Sequence, residues 1–306
     1  MSKILKAHFA LFIVNALYGA NHVVAKGVMP NYLTPSVFIF LRVLGATVLF
    51  WIFKVLFIKD RVEKKDLLLM ALCGLFGVAI NQLFFFHGLS LTSSVNTGII
   101  MMINPIIVVV LSFLFLKERV TWRRVIGITI GALGSILLTV VAGTGIGDSA
   151  LGDLFIFINA TSYALYLVLV KPLMKKYKPL TVITYVFTFG FFYVILYPPT
   201  IFELSTTTFS DIPTNIILII FYVILGVTFL TYLLTVYGLK HLSPSVSSAY
   251  IYLQPVLVIF FAYVLSFFNV VDDYTETITL EKILYMIIIF IGVYMTSTSS
   301  SKTIKS

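Results

Sequence analysis

The stretch NQLFFFHGLSLTSSVNTGIIMMINPIIVVVLSFLFLKE, residues 81–118, decides the fold of this chain. It consists of two apolar runs joined by a turn at Ser93-Ser94, and Pro105 stands in the middle of the second run. An apolar run of about 20 residues is long enough to cross a bilayer as a helix. The stretch therefore predicts a hairpin of two membrane spans, the second interrupted by proline.

A closely similar pattern returns in the second half of the chain. Gly88-Leu89 and Asn104-Pro105 are matched by Gly238-Leu239 and Gln254-Pro255, with an offset of 150 residues for both pairs. Self-similarity at a fixed offset indicates an internal repeat, and repeated halves in an apolar chain are the usual organisation of a secondary transporter. We therefore expect two related halves.

The composition places the chain in lipid. Hydrophobic residues make up 60% and charged residues 11%, whereas charged residues typically reach about 25% in soluble proteins. Outer-membrane strands alternate polar and apolar residues, but these runs are apolar all round, which favours helices. The predicted spans lie at 5–26, 35–57, 67–88, 95–116, 122–141, 151–171, 180–200, 214–238, 246–268 and 280–297.

The charges predict the orientation of these spans. With a cytoplasmic N-terminus, the loops on the inner side and the span ends next to them hold 18 of the 21 basic residues, and the outer side holds 8 of the 12 acids. An excess of lysine and arginine in short loops marks the cytoplasmic side. We expect a multi-pass protein of the cell (inner or plasma) membrane with both termini in the cytoplasm. The net charge of +9 is then a topology signal, and we expect no nucleic-acid partner.

Five spans per half make the two halves antiparallel, because the first half begins inside and the second outside. The expected fold is an all-α integral membrane protein with ten transmembrane helices in two inverted five-helix repeats around a central cavity. The repeats are predicted at residues 1–143 and 144–306. Rocking one repeat against the other would open the cavity to alternate sides. We expect a monomer or weak dimer in the lipid bilayer, a small-molecule substrate, and no cofactor or metal.

Six spans carry polar side chains on one helical face, and these are spans 1, 3, 4, 6, 8 and 9. Unpartnered amides and hydroxyls cost several kcal/mol each in hydrocarbon, so these faces should turn towards protein or water. Each tyrosine or threonine taken singly could instead join helices, but the six faces together indicate a cavity. The candidate substrate-binding residues are Asn15, Tyr18, His22, Lys26, Asn81, Gln82, Asn104, Asn159, Tyr163, Tyr166, Thr231, Tyr232, Tyr250 and Gln254.

Pro105 and Pro255 are the candidate hinges, because each removes a backbone donor in the middle of a span. A fixed kink that only aids packing is the alternative. Arg42 is interpreted as a structural element of span 2, held by backbone carbonyls or a hydroxyl. No aspartate or glutamate lies in the middle of a span. A buried carboxylate is what a cation exporter normally needs, so zwitterionic or anionic substrates are favoured.

The chain resembles the drug/metabolite transporter superfamily, and within it the ten-span, two-repeat EamA-type permeases. The resemblance extends over nearly the whole chain and rests on the run from Asn15 to Lys26, Arg42, Asn81-Gln82, Gly88, Asn104-Pro105, Lys117-Glu118-Arg119, and Gly127, Gly131 and Gly134. It implies an exporter of amino acids, nucleosides or other metabolites, with a cavity lined by the same six spans. The acidic insertion at Asp272-Asp273 and the lack of a basic counterpart of Arg42 near Val186 depart from a symmetric repeat.

A transporter of small metabolites, most simply an amino-acid exporter or exchanger, is the function that the sequence predicts. The five cavity tyrosines offer ring faces and hydroxyls to such substrates. The alternatives are nucleosides, phosphorylated or sugar metabolites, a lipid-linked-sugar flippase, or a channel. An intramembrane enzyme is disfavoured, because the four histidines are scattered and Cys73 lacks a clear partner.

Overall fold

The computed structural model describes residues 2–24, 32–92, 94–142, 149–267 and 279–298. All regular secondary structure in these ranges is helical. The helices are α1 (Lys3–Val24), α2 (Pro35–Phe57), α3 (Lys64–Leu91), α4a (Ser94–Met101), α4b (Asn104–Leu116), α5 (Trp122–Ala142), α6 (Ala150–Lys176), α7a (Pro179–Ile195), α7b (Pro198–Thr206), α8 (Thr214–His241), α9a (Pro244–Ala249), α9b (Gln254–Phe267) and α10 (Leu280–Ser297). The predicted all-α fold is confirmed.

The helices have the length and apolar surface of membrane spans. Among the described residues, nine helical stretches are long and apolar enough to cross a bilayer, or ten if α7a and α7b form one span. Large apolar side chains such as Phe113, Leu114 and Phe115 on α4b are exposed on the outside of the bundle. Such a surface is suited to lipid, and the chain is a multi-pass membrane protein.

Local sequence signals set the ends of several helices. The Ser149 hydroxyl accepts a hydrogen bond from the Gly152 amide at 3.1 Å and caps α6. Ser243 caps α9a in the same way, through the Val246 amide at 3.3 Å. These hydroxyls satisfy amides that the first turn of a helix leaves unpaired. α4b ends at Leu116, because the next residue, Lys117, has a left-handed φ of 53° that stops the helix.

The seventh predicted span, 180–200, is wrong at its C-terminal end. α7a stops at Ile195, and α7b follows after a bend of 72°. Tyr197 before the bend is extended, with φ −70° and ψ 116°. Proline disfavours the helical conformation of the residue before it, so Pro198 turns an apolar run of sufficient length into two helices.

Irregular helical segments occupy corresponding places in the two halves. α3 contains a π-helical segment at Leu75–Ile80 and α8 one at Val223–Leu230. Regular helix resumes at Asn81 and at Thr231, which are 150 residues apart, the offset already seen in the sequence. π-Helical segments are rare and often mark functional sites, so their recurrence supports a duplicated architecture.

The fourth and ninth spans are also interrupted at matching positions. A turn at Met102 and Ile103 separates α4a from α4b, and a 3₁₀ segment at Tyr250–Leu253 separates α9a from α9b. Asn104 and Gln254 begin the second parts, each followed by proline. Proline fits the first turn of a helix because its missing amide would have had no partner there. The sequence predicted irregular backbone at both prolines.

Helix packing respects the duplication. α1 packs on α8 and α9b, and its repeat partner α6 packs on α3 and α4b. α2 packs on α7a and α8, while α7a packs on α2 and α3. Exchanging each of these helices with the one five places along the chain therefore returns these same contacts.

α5 and α10 form the closest helix pair, through glycines. A Cβ built on Gly292 would lie 2.4 Å from the Gly131 nitrogen and 2.7 Å from the Gly127 carbonyl oxygen. Contacts this short leave no room for a side chain. Small residues at a membrane helix interface let backbones touch, so that dispersion contacts hold the pair. The α5 glycines are part of the family pattern seen in the sequence, and the structure shows that they let α5 and α10 pack at backbone distance.

Gly292→Ala should lower the melting temperature of the protein purified in detergent, because the added methyl group overlaps the α5 backbone. Overpacking of this kind typically costs about 1–3 kcal/mol. Gly226→Ala in α8 is the matched control, since its Cβ would meet no atom closer than 3.4 Å. Alanine is the better helix former, so the control should melt at or above the wild-type temperature. Equal melting of the two variants would contradict the proposed close contact.

Candidate substrate site

Tyrosine rings gather where α3, α6 and α8 meet. The ring centroids of Tyr163 and Tyr166 are 5.8 Å apart, and those of Tyr166 and Tyr232 are 6.4 Å apart. Tyr18 of α1 lies within electrostatic reach of Tyr163 and Tyr232. The structure thus brings together four of the five cavity tyrosines that the sequence predicted.

The π-helical segment of α3 shapes this cluster. The Tyr232 hydroxyl donates a hydrogen bond to the Gly77 carbonyl at 2.9 Å, and the Ser162 hydroxyl donates to the Phe76 carbonyl at 2.6 Å. A Cβ on Gly77 would lie 2.4 Å from the Tyr166 ring, so only glycine lets the ring lie against α3. Irregular backbone is tolerated at membrane depth where protein groups satisfy it, and both acceptors lie within the segment.

The amide side chains form a second group next to the tyrosines. Asn159 of α6 donates to the Asn81 carbonyl of α3 at 2.6 Å. The Tyr232 hydroxyl also lies 3.4 Å from the Asn81 side-chain oxygen. The buried Gln82 amide lies beside Tyr232, but neither its nitrogen nor its oxygen makes a hydrogen bond of good geometry with the described residues.

The two interrupted helices are bonded to the opposite half of the chain. Asn104 at the start of α4b donates to the Ala160 carbonyl of α6 at 2.6 Å. Gln254 at the start of α9b donates to the Asn15 side-chain oxygen of α1 at 3.1 Å, and Asn15 donates to its own helix at Leu11. Each break in one repeat is therefore held by the first helix of the other repeat.

Arg42 extends the site beyond the residues that the sequence predicted. Its side chain is 5% exposed and its Nε donates to the Thr228 hydroxyl of α8 at 3.1 Å. The guanidinium lies over the rings of Phe38 and Phe86, at 5.4 and 5.0 Å from their centroids. The described residues place no carboxylate against it. The hydroxyl partner was predicted, whereas α2 is not among the six spans that the sequence analysis expects to line the cavity.

Arg42 also lies within electrostatic reach of Tyr18 and Tyr232, so it belongs to the tyrosine cluster. A charged residue in the middle of a span marks a functional site by default. That signal was present in the sequence. The sequence analysis interprets it as a structural element of span 2 that a hydroxyl or backbone carbonyls hold.

Several predicted residues lie elsewhere or outside the described part. Tyr250 bonds to His8 at 2.7 Å, and His8 is ten residues from Tyr18, about 15 Å along α1. Thr231, by contrast, lies beside Tyr18 of the cluster, and its hydroxyl donates to the Val227 carbonyl in its own helix at 2.6 Å. The side chain of His22 and the whole of Lys26 are not among the described residues.

Buried polar atoms without a hydrogen bond in the described protein concentrate in this region. They include both polar atoms of Gln82, the side-chain oxygens of Asn104 and Asn159, and the hydroxyls of Tyr166 and Thr235. Burying such groups unpaired costs roughly 1–3 kcal/mol each by mutational data. A polar ligand or water entering here would recover that free energy, which is the physical requirement for a substrate site.

Tyr232→Phe and Tyr166→Phe form a matched pair, because each removes one buried hydroxyl and keeps the ring. Tyr232→Phe should lower the free energy of unfolding by about 1 kcal/mol or more, since it leaves the Gly77 carbonyl without that donor. Tyr166→Phe removes a hydroxyl that has no hydrogen-bond partner among the described residues and should leave stability unchanged or higher. Thermal unfolding in detergent measures both. Greater destabilisation by Tyr166→Phe would contradict the geometry of the site.

Comparison with known proteins identifies the family. The profile of the EamA-like transporter family matches residues 5–140 and 150–298. The uncharacterized transporter YyaM of Bacillus subtilis (strain 168) is 30% identical over 204 residues, which are 65% of this chain and 66% of YyaM. An uncharacterized transporter of Archaeoglobus fulgidus is 30% identical over 168 residues, 55% of this chain and 58% of its own length. The chain thus spans less than two thirds of either relative.

A relative with a more specific name is a probable terminal-alkyne amino-acid exporter of Streptantibioticus cattleyicolor, 24% identical over 205 residues and covering 67% of each chain. A solved crystal structure of a protein aligns with 98% of this chain and 99% of its own, with a TM-score of 0.75 and 16% identity, which shows a shared fold. These matches confirm the resemblance seen in the sequence, and the relatives are named as transporters rather than enzymes. The chain belongs to the EamA-like transporter family.

Proposed function

We propose that the protein is a secondary transporter that exports or exchanges small metabolites, with amino acids as the substrate class. Substrate binds between the two repeats, in the tyrosine and amide cluster, and is released by alternating access. The predicted site residues keep their proposed roles, with Arg42 added as the group that binds the substrate's carboxylate.

The observation that carries this proposal is the buried guanidinium of Arg42, beside which the described residues place no carboxylate. Removing a cation from water costs several kcal/mol unless an anion or aligned dipoles compensate. Thr228 and two aromatic rings supply only part of that compensation. An amino-acid carboxylate fits the planar donor fork of arginine and would form charge-assisted hydrogen bonds with it.

The surrounding residues suit the rest of an amino acid. Tyrosine ring faces accept apolar side chains or an ammonium group. The unpaired Gln82 and Asn159 oxygens offer acceptors for the ammonium hydrogens. The name of the Streptantibioticus cattleyicolor relative, an amino-acid exporter, points in the same direction.

Alternating access is supported by the exchange symmetry of the helix contacts and by the paired interruptions at Asn104 and Gln254. With five spans per half, the repeats at 1–143 and 144–306 are inverted, and both termini lie in the cytoplasm of a cell whose inner or plasma membrane holds the protein. Pro105 and Pro255 act as hinges. The hydrogen bonds from Asn104 to α6 and from Gln254 to α1 break and re-form as the halves rock.

A phosphorylated metabolite is the second candidate, because the same guanidinium fork also binds phosphate. Ligand-dependent stabilisation separates the candidates, since a ligand that binds the folded state raises the melting temperature. Amino acids, nucleosides and sugar phosphates should be screened in one buffer. Stabilisation by sugar phosphates alone would replace the amino-acid assignment.

Purified protein in proteoliposomes should show saturable counterflow of radiolabelled amino acids. Arg42→Gln should abolish it, whereas Arg42→Lys should weaken half-saturation roughly tenfold or more, because the charge remains but the two-point geometry is lost. Arg42→Lys also serves as the folded variant if Arg42→Gln is unstable. Wild-type exchange by Arg42→Gln would overturn the proposed carboxylate site. Non-saturable flux would indicate a channel.

Asn104→Ala and Gln254→Ala should each slow counterflow while leaving a folded protein. Each removes one hydrogen bond between the repeats, which is worth about 1 kcal/mol. Ser205→Ala is the control, because this exposed hydroxyl bonds only within α7b. Folding is checked by size-exclusion elution and melting temperature. Unchanged transport by both variants would remove Asn104 and Gln254 from the mechanism.

A further inference from the structure

An apolar groove and a basic pocket lie side by side at one end of the bundle. The groove, about 420 Å³ in volume, opens between the end of α2, the start of α7a and α8, where Ile58, Leu180, Leu233 and Tyr237 line it. The pocket, about 380 Å³, lies between the segment that follows α2 and the ends of α6 and α8. Lys178 lines both, so the two spaces are neighbours.

The pocket carries cations without anionic partners. Arg61, Lys175, Lys178 and Lys240 line it, are exposed, and form no ion pair within the described residues. Asp60 is the single acid among its lining residues, and the Thr181 hydroxyl donates to it at 3.3 Å. Four such cations against one carboxylate leave an excess of three positive charges.

Lys176, although next to these cations, is already neutralised. Its ammonium lies 2.8 Å from the Glu63 carboxylate and also pairs with Asp66. Lys176 and Lys65 together lower the pKa of Glu63, through the hydrogen bond from Lys176 first. Lys176 therefore differs from the four pocket cations, beside which the described residues place no ion-pairing carboxylate.

The backbone adds further donors to the same place. α7a begins at Pro179 directly beside the pocket, and Lys178, its N-cap residue, makes no side-chain cap. The first amides of a helix lack intrahelical acceptors and carry partial positive charge. An anion placed at Lys178 therefore faces side-chain cations and helix-terminal amides together.

We propose that this groove and pocket bind one anionic phospholipid of the adjacent leaflet. Its phosphate lies among Arg61, Lys178 and Lys240, and one acyl chain lies in the groove along Leu180, Leu233 and Tyr237. The charge excess selects an anionic headgroup, because a zwitterionic headgroup brings its own cation into the same pocket. Basic pockets between helices at a membrane surface are suited to such headgroups.

The proposal is tested by lipid-dependent melting of the full chain after delipidation in a neutral detergent. Phosphatidylglycerol should raise the melting temperature, whereas phosphatidylcholine and inorganic phosphate at the same concentration should not. The double variant Lys178→Gln/Lys240→Gln should weaken the apparent affinity for phosphatidylglycerol roughly 30-fold, since each basic residue near the surface contributes about 1 kcal/mol.

Two further variants make the result specific. Leu233→Trp fills the groove, keeps all charges and should also abolish the shift. Arg119→Gln/Arg123→Gln is the matched control, because it removes two exposed charges from the same predicted membrane side away from the pocket, and it should keep the shift. Melting temperatures without lipid report folding. A shift that persists in both pocket and groove variants overturns the site, and an equal shift with phosphate that survives Leu233→Trp replaces the lipid by a simple anion.

Discussion

Hydrocarbon offers no hydrogen bonds, and this constraint organises the whole bundle. Every polar group that a helix carries into the membrane needs a partner in its own helix, in another helix, or in a bound ligand or water. The described structure meets part of this requirement with bonds from a side chain of one half to the backbone of the other. Asn159 bonds to Asn81, Ser162 to Phe76 and Ser135 to Tyr252. The polar faces that mark the site are therefore also what aligns the two halves.

Irregular backbone has a definite role in that arrangement. Phe76 and Gly77 lie in a π-helical segment, and Tyr252 lies in a 3₁₀ segment. All three carbonyls accept bonds from the opposite half. Departure from the regular helical ladder frees acceptors, and facing hydroxyls occupy them. A regular helix at these positions would leave those hydroxyls unpaired in an apolar environment.

Features that follow from periodic sequence patterns could be predicted, whereas features that depend on single residues were missed. Span positions, the repeat and the inward faces of α1, α3, α6 and α8 follow from regular patterns of apolar and polar residues. The end of α7a at Ile195 was missed because hydropathy outweighed the pair of prolines after it. The π-helical segments have no compositional signal, since Leu75–Ile80 reads as ordinary apolar helix. The depth of Arg42 within span 2 is by itself a signal for a candidate functional residue. Val186, its nearest counterpart in α7a, is a fully buried hydrophobe.

The glycine contact between α5 and α10 has a mechanical consequence. It joins the last helix of each half at backbone distance, because Gly131 and Gly292 place no side chain where the two helices cross. Elsewhere the halves meet through long side chains, such as Tyr232 and Gln254, which can exchange partners. In the proposed alternating access, relative movement of the halves would therefore be smallest at this glycine contact and would grow with distance from it. In that motion the glycine contact is the pivot, and the tyrosine cluster, which lies away from it, is displaced further.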